Sequence, residues 1–381
     1  MPSLPQPSAD AASHSQRLLQ SLRELIATQQ GWISFARYME HTLYSPGLGY
    51  YAAGALKFGP SGDFTTAPER SHLFGRTLAL QLAQILAETG GEVLEIGAGS
   101  GRLACDVLLE LQKLNALPER YAILELSATL QARQRETLSA QVPQLLERVQ
   151  WLEQLPTSLT GVVFGNEVLD ALPVHLVTVK NGQLHERGVA INADQLDWDD
   201  QLLPDGALQQ AATKLNLPEG YVTEINLAAP ALIASLANCM TRGALLFIDY
   251  GFPRAEYYHL QRNQGTLMCH YRHHAHGDPF YWPGLQDITA HVDFSALLEP
   301  APALELLGYT TQANFLINCG ITDLLAETAP EDVVNYLPLA NQVQYLLSPA
   351  EMGELFKVMA LGKNLNLPLL GFSRGDQQHR L

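Results

Sequence analysis

The chain of 381 residues is expected to be an α/β protein: a doubly wound, mostly parallel sheet with an inserted, partly helical region. Three observations predict this. From Glu92 onward, short apolar runs alternate with segments of helical periodicity. The first run, Glu92-Val93-Leu94-Glu95-Ile96, passes straight into Gly97-Ala98-Gly99-Ser100-Gly101. Acids stand at or just after the ends of the runs, where open α/β sheets bind ligands.

The elements follow in order. Residues 1–15 are rich in Pro, Ser and Ala and lack a basic start followed by an apolar stretch. They are expected to form a disordered tail, not a secretory signal. Residues 16–90 are expected to be helical apart from a loop. Arg17 to Thr28 places Leu18, Leu22, Leu25 and Ile26 on one face. Ile33 to Leu43 continues helical until Ser45-Pro46-Gly47-Leu48-Gly49 breaks it. Gly59 to Pro68 is the loop, and His72 to Glu88 is a second long helix.

Residues 91–172 form the first part of the core. Strands are expected at Glu92–Ile96, Tyr121–Leu126, Gln150–Leu152 and Gly161–Gly165, with helices at Arg102–Leu114 and Ala128–Ala140. Residues 173–242 are an insertion with part of the core, irregular and acidic around Asp194, Asp197, Asp199 and Asp200. Residues 243–381 complete the core. They begin with a strand, Gly243–Asp249, and carry an aromatic, His-rich insertion over 251–292. Helices are expected at Phe294–Leu307 and Met352–Leu361, and strands at Tyr309–Ala313 and Leu365–Phe372.

Composition excludes several classes. The 39 acidic residues outnumber the 23 basic ones, a formal charge of −16. Such a surface repels phosphate backbones, so no nucleic-acid partner is expected. It suits a basic protein segment, although net acidity also simply keeps a protein soluble. The four cysteines form no CxxC pair and no zinc spacing. A reducing, cytoplasmic location is expected. No apolar run approaches the roughly 20 residues that span a membrane. No coiled-coil seam indicates an oligomeric state.

A glycine turn between strand and helix lets a ligand approach the backbone and places a helix N-terminus beside it. Dinucleotides and S-adenosylmethionine both use this arrangement. The dinucleotide fingerprint needs a third glycine three positions after the second; Arg102 stands there. Glu95 suits a ligand with an ammonium and a sulfonium. Glu125, ending the second strand, can accept both ribose hydroxyls, with Leu126 beside it. The expected cofactor is therefore S-adenosylmethionine, held by Glu95, Gly97, Ala98, Gly99, Gly101, Glu125 and Leu126.

The strand ending at Gly165 runs into Asn166-Glu167-Val168-Leu169-Asp170-Ala171-Leu172-Pro173. Asn166 can offer its amide to cofactor or substrate. Glu167 and Asp170 would share a face if this turn were helical. Asp170 also reads as a turn residue before Pro173.

Here the sequence resembles the MidA family. The resemblance rests on Glu95–Gly101, Asn166–Pro173, Ile33–Met39, Leu43–Tyr51, Gly62–Glu69, Asp249–Phe252, Gly265–Leu267 and Pro283–Phe294, and spans roughly residues 20 to 365. Mitochondrial members are protein arginine methyltransferases that assist assembly of respiratory complex I. The resemblance implies a class I methyltransferase, Rossmann-like fold with an added helical substrate region. It also implies that the loop from Gly62, with Asp63 and Thr65, helps close the cofactor site.

An arginine acceptor is a cation and a poor nucleophile, so carboxylates must hold it. Glu167 is the first candidate and Asp170 the second, with Asn166 beside them. Asp249 would orient the acceptor or cap the following turn. Asp287 and His291, four apart, would share a helical face, and His291 could accept a proton. Asp293 reads first as a helix cap. His270, His273, His274 and His276 read as a polar loop contacting substrate, and no metal is expected. Three alternatives stay open: an assembly chaperone that holds the cofactor without transferring its methyl group, a methyltransferase acting on RNA or a small molecule, and an NAD oxidoreductase.

Overall fold

The computed structural model describes residues 4–53, 66–299 and 301–381. Gly62, Asp63 and Thr65 lie outside the described residues. The chain divides into two compact units. One holds residues 65–168, 232–253 and 294–381; the other holds 1–64, 169–231 and 254–293.

The first unit carries the expected sheet. Its strands are β1 (Glu92–Ile96), β2 (Tyr121–Leu124), β3 (Val149–Leu152), β4 (Leu159–Asn166), β5 (Met240–Phe252), β6 (Glu305–Thr311) and β7 (Phe356–Lys363). Their spatial order is β6-β7-β5-β4-β1-β2-β3. The strands from β5 to β3 pair in parallel, and β7 runs antiparallel to both β5 and β6. Val162, Phe164, Leu246 and Ile248 are buried under the helices His72–Thr89 and Arg102–Lys113, which contribute Leu78, Leu82, Val107 and Leu111 to the same cluster. Continuous apolar runs are what a sheet covered on both faces requires.

Three expectations in this unit are corrected. The helix expected over Met352–Leu361 is strand β7: its residues are buried from Phe356 to Gly362 with neither a helical stripe nor alternation. Periodicity cannot separate such a run from a buried helix. The helix expected over Phe294–Leu307 shrinks to a 3₁₀ turn at Phe294–Leu297, followed by β6. Pro302 disfavours the longer helix, because a proline in a helix interior removes a hydrogen bond and clashes with the preceding turn. The strand expected over Leu365–Phe372 is only a 3₁₀ turn, Leu370–Phe372.

In the other unit the first helix begins at Ala9, not Arg17, so the tail expected to be disordered through residue 15 is helical from there. Ser8 caps it by accepting from the Ala11 N–H, and Asp10 lies in the first turn. Ser15 is buried and donates to the Pro283 carbonyl at 2.8 Å. The acidic insertion is not irregular. It forms an antiparallel sheet in which Gln183–Asn192 pairs with His175–Lys180, Gln195–Leu202 and Trp32–Ser34, while His175–Lys180 also pairs with Val222–Ile225. Asn181-Gly182 and Ala193-Asp194 all have positive φ, as two-residue hairpin turns matching the strand twist demand. The acids lie on the polar edge of that meander, where Asp200 pairs with Arg187 at 2.9 Å and Lys180 at 2.5 Å.

Candidate active site

In this mostly parallel sheet the strand order reverses at β1, whose neighbours are β2 on one side and β4 on the other. Ligands of open α/β sheets bind outside the carboxyl ends at such a switch point. The glycine turn leaves β1 there. Gly97, Gly99 and Gly101 have φ of +67°, +51° and +83°, left-handed values that L side chains disfavour. Packing adds a second demand. A Cβ on Gly97 would stand 3.1 Å from Val168 Cγ2, and one on Gly101 would stand 3.1 Å from Gln134 Cα. Gly101 caps the helix Arg102–Lys113. Ser100 donates to the Glu69 carboxylate and accepts from the Arg102 N–H at 3.3 Å. The Arg102 guanidinium points to Asp106 at 3.3 Å.

Glu95 is only 2% exposed and accepts from the Tyr121 hydroxyl at 2.7 Å. Burial pushes its carboxyl up to about 8; the Tyr121 bond opposes this, and the charge of Glu125 adds to it. Glu125 is buried too. Its Oε1 accepts from the Ser127 N–H at 2.9 Å and its Oε2 from the Gln134 amide at 3.0 Å. Burial raises its pKa, against these two donors. Each oxygen has a second lone pair for another donor. Leu126 follows at 77% exposure, an apolar surface beside a polar anchor. Ala98 is buried within the turn.

Asn166 ends β4 and donates through Nδ2 to Glu167 Oε1 at 3.0 Å. Glu167 has φ of +53° and its N–H donates to the Ile248 carbonyl at 2.9 Å. This is a glycine-favouring conformation occupied by a charged side chain. No helical turn forms here, so the expected shared face of Glu167 and Asp170 is corrected: one belongs to the first unit and the other to the second. Asp249 is buried, and its carboxylate accepts from the N–H groups of Val168 at 3.1 Å and Tyr250 at 3.0 Å. It thereby ties the turn after β4 to β5.

The structure thus gathers Glu95, Gly97, Ala98, Gly99, Gly101, Glu125, Leu126, Asn166, Glu167 and Asp249 in one unit, on the strand ends and the turns that leave them. Asp170, Asp287 and His291 belong to the other unit. There Asp287 lies on the strand Asp287–Thr289 and not on a helix, so it shares no helical face with His291. Asp287–Thr289 pairs with Met268–His270, which explains the extended backbone. Tyr51 donates to Asp287 Oδ1 at 2.9 Å and stacks on Tyr44, ring centres 5.5 Å apart. Burial first, then Asp287, Tyr44 and Asp170, hold the Tyr51 phenol far above its ordinary pKa, so it stays a donor. Asp170 and Asp287 are both buried. The His291 N–H donates to Thr266 Oγ1 at 3.0 Å, and the Asp293 carboxylate pairs with Arg254 at 3.1 Å. His274 and His276 lie on a strand paired with Met268–Tyr271, which carries His270. Among the described residues no group of three or more His, Cys, Asp or Glu is placed to hold a metal ion.

Tyr51, Tyr121 and Gln134 were not singled out from the sequence. Tyr51 stands in a segment that carried the family resemblance, but its partnership with Asp287 spans 236 positions. Nothing local in the sequence marks Tyr121 or Gln134.

A family model described as "Putative S-adenosyl-L-methionine-dependent methyltransferase" matches residues 77–310. Among curated proteins, the chain is similar to protein arginine methyltransferase NDUFAF7, mitochondrial, of Homo sapiens. The two are 30% identical over 92% of this chain and 84% of that one. The Drosophila melanogaster homolog is 29% identical over 97% and 91%. Among solved structures, a superfamily member from Burkholderia thailandensis with S-adenosyl-homocysteine bound is 52% identical. It covers 100% of both chains, with a TM-score of 0.96. The family resemblance read from the sequence is borne out.

Proposed function

From the premise that the chain belongs to the family of S-adenosyl-L-methionine-dependent methyltransferases, we propose that it methylates an arginine side chain in a basic segment of a partner protein. The relatives named protein arginine methyltransferase support the acceptor, and the formal charge of −16 suits a cationic one. The observation that carries the reading is Glu167: a carboxylate oriented by Asn166 and held at the end of β4 in a backbone conformation that favours glycine. The absence of a membrane-length apolar helix among the described residues, and four buried free cysteines, suit a reducing, cytoplasmic location.

When bound, S-adenosylmethionine supplies a methyl group on a sulfonium. The residues fit it: a positive-φ glycine turn that a Cβ would crowd, a buried acid at the end of β1, and Glu125 beside exposed Leu126. We assign Glu95 to the ligand's positive charge, the turn Gly97–Gly101 to close backbone contact, and Glu125 to the ribose hydroxyls. Glu167 holds the acceptor guanidinium and draws its positive charge away from the attacking nitrogen. In the other unit, Asp170 and Asp287 around Tyr51 are the buried carboxylates suited to a cation.

The test is transfer of labelled methyl from S-adenosylmethionine to a cell extract, followed by protease, nuclease and acid hydrolysis. Label recovered as methylarginine is expected. Label released by nuclease, or found on small molecules, overturns the protein acceptor; no transfer at all favours a cofactor-holding assembly chaperone.

The Glu95 assignment has its own pH test. An unfolded glutamate titrates near 4.3, whereas folded Glu95 titrates at about 8. Between those values the folded state holds the extra proton, so stability falls as pH rises through that window. Glu95→Gln keeps an acceptor for Tyr121 and avoids the cost. It should melt like the parent protein at low pH and increasingly above it toward pH 8. A bound cation reverses the balance and ionises Glu95, so binding near neutral pH should release close to one proton. Calorimetry in two buffers of different ionisation heat reads this. Glu95→Gln should release none and bind at least tenfold more weakly; equal proton release from both proteins would sink the assignment.

A further inference from the structure

We infer that Gln134 is a positioning residue for the cofactor: its amide sets Glu125 and the glycine turn in one register and gives the Glu125 carboxylate a donor. This rests on the proposal that Glu125 takes the ribose hydroxyls.

Gln134 lies on the helix Ala128–Gln141 and is fully buried. Its Nε2 donates to the Gly99 carbonyl at 3.1 Å and to Glu125 Oε2 at 3.0 Å, and its Oε1 accepts from the Trp151 indole N–H at 3.0 Å. Both amide hydrogens and one lone pair are therefore in use. The orientation is not interchangeable. A flipped amide would set its oxygen against the Gly99 carbonyl and the Glu125 carboxylate, and its N–H₂ against the indole N–H. One side chain thus joins the turn after β1, the acid after β2 and a ring on β3. The backbone has made room for it: a Cβ on Gly101 would meet Gln134 Cα at 3.1 Å.

The bond to Glu125 has a chemical consequence. Burial favours the neutral acid, while the donors Ser127 and Gln134 favour the carboxylate. A neutral carboxyl spends one oxygen as a donor and cannot accept from two hydroxyls. The ionisable group that faces Glu125 from the adjacent strand is Glu95. Residues 97–101 and 149–152 carry none. On the helix, Arg135 lies over the Trp151 ring at 4.5 Å.

The test is S-adenosylhomocysteine affinity by calorimetry from pH 5.5 to 9, beside melting curves. Gln134→Met keeps the volume and removes both donors. The acid-side loss of affinity should move to higher pH, with binding at least tenfold weaker than the parent at the acid end of the range and recovered toward its alkaline end. Titration of Glu95 contributes to both profiles, so the difference between them isolates Glu125. Trp151→Phe leaves the two ligand-side bonds and frees the amide to turn; it should shift the profile the same way by less, and it serves as the probe if Gln134→Met does not fold. A parental profile, or a uniform loss at every pH, overturns the inference. Glu125→Gln separates the two readings. If it binds as the parent does, the ribose assignment fails and the inference with it. If it binds weakly while the Gln134→Met and Trp151→Phe profiles stay parental, only the inference fails.

Discussion

Gly97→Val is expected to weaken S-adenosylhomocysteine binding at least 100-fold. The valine would have to adopt φ of +67°, which costs about 1–2 kcal/mol for any L side chain and more for one branched at Cβ. Its Cβ alone would stand 3.1 Å from Val168 Cγ2, and its two methyl groups would reach further. Val168 has little room to give: its N–H is held by Asp249, and its Cγ2 also lies 3.2 Å from the place a Cβ on Gly165 would take. The turn must therefore move, and a displacement of about 1 Å in a positioned site costs on the order of 10²-fold. Calorimetry reads the affinity, and a melting curve shows that the sheet survives. Gly97→Ala should fall between the two. Affinity within tenfold of the parent for Gly97→Val would remove the glycine turn from the cofactor site.

The second large effect is expected at Glu167. Glu167→Gln keeps an oxygen for the Asn166 amide and removes the charge. Methyl transfer should fall by about 10²–10⁴-fold in kcat, while S-adenosylhomocysteine affinity stays within a few-fold. Glu167→Gly gives a complementary readout. It removes the carboxylate but suits φ of +53°, so it should lose transfer and yet gain about 1 kcal/mol of stability. Backbone strain of this kind clusters at functional sites. Wild-type turnover in Glu167→Gln would remove Glu167 from the mechanism.

The sheet and its ligand edge were legible because the signals are local. Glu92–Ile96 is a short strand of three apolar residues and two glutamates stopped by glycine, and Arg102–Lys113 follows with a clear apolar face. β4 into Asn166-Glu167 reads the same way. The late strands were not legible, because β7 is buried on both faces and a run of that length carries no periodicity. The acidic meander was hidden for a different reason. Asn181-Gly182 is a strong hairpin signal, but the crowding of aspartates beyond it reads as loop when the pairing of Asp200 with Arg187 and Lys180 is not seen. At the site, the acids could be read from their positions after strands. Gln134 could not, since its importance comes from three partners brought together only by packing.

The position of β7 has a consequence for how the molecule comes into being. It sits between β5 and β6, yet it leaves the ribosome after both. Until residues 356–363 emerge, β5 presents an open, apolar edge, the kind of template that invites pairing with another chain. The sheet can therefore close only once residues 356–363 have been made, through contacts of high sequence separation that form slowly. A chain cut short before β7 should be a client for chaperones and not a smaller working enzyme.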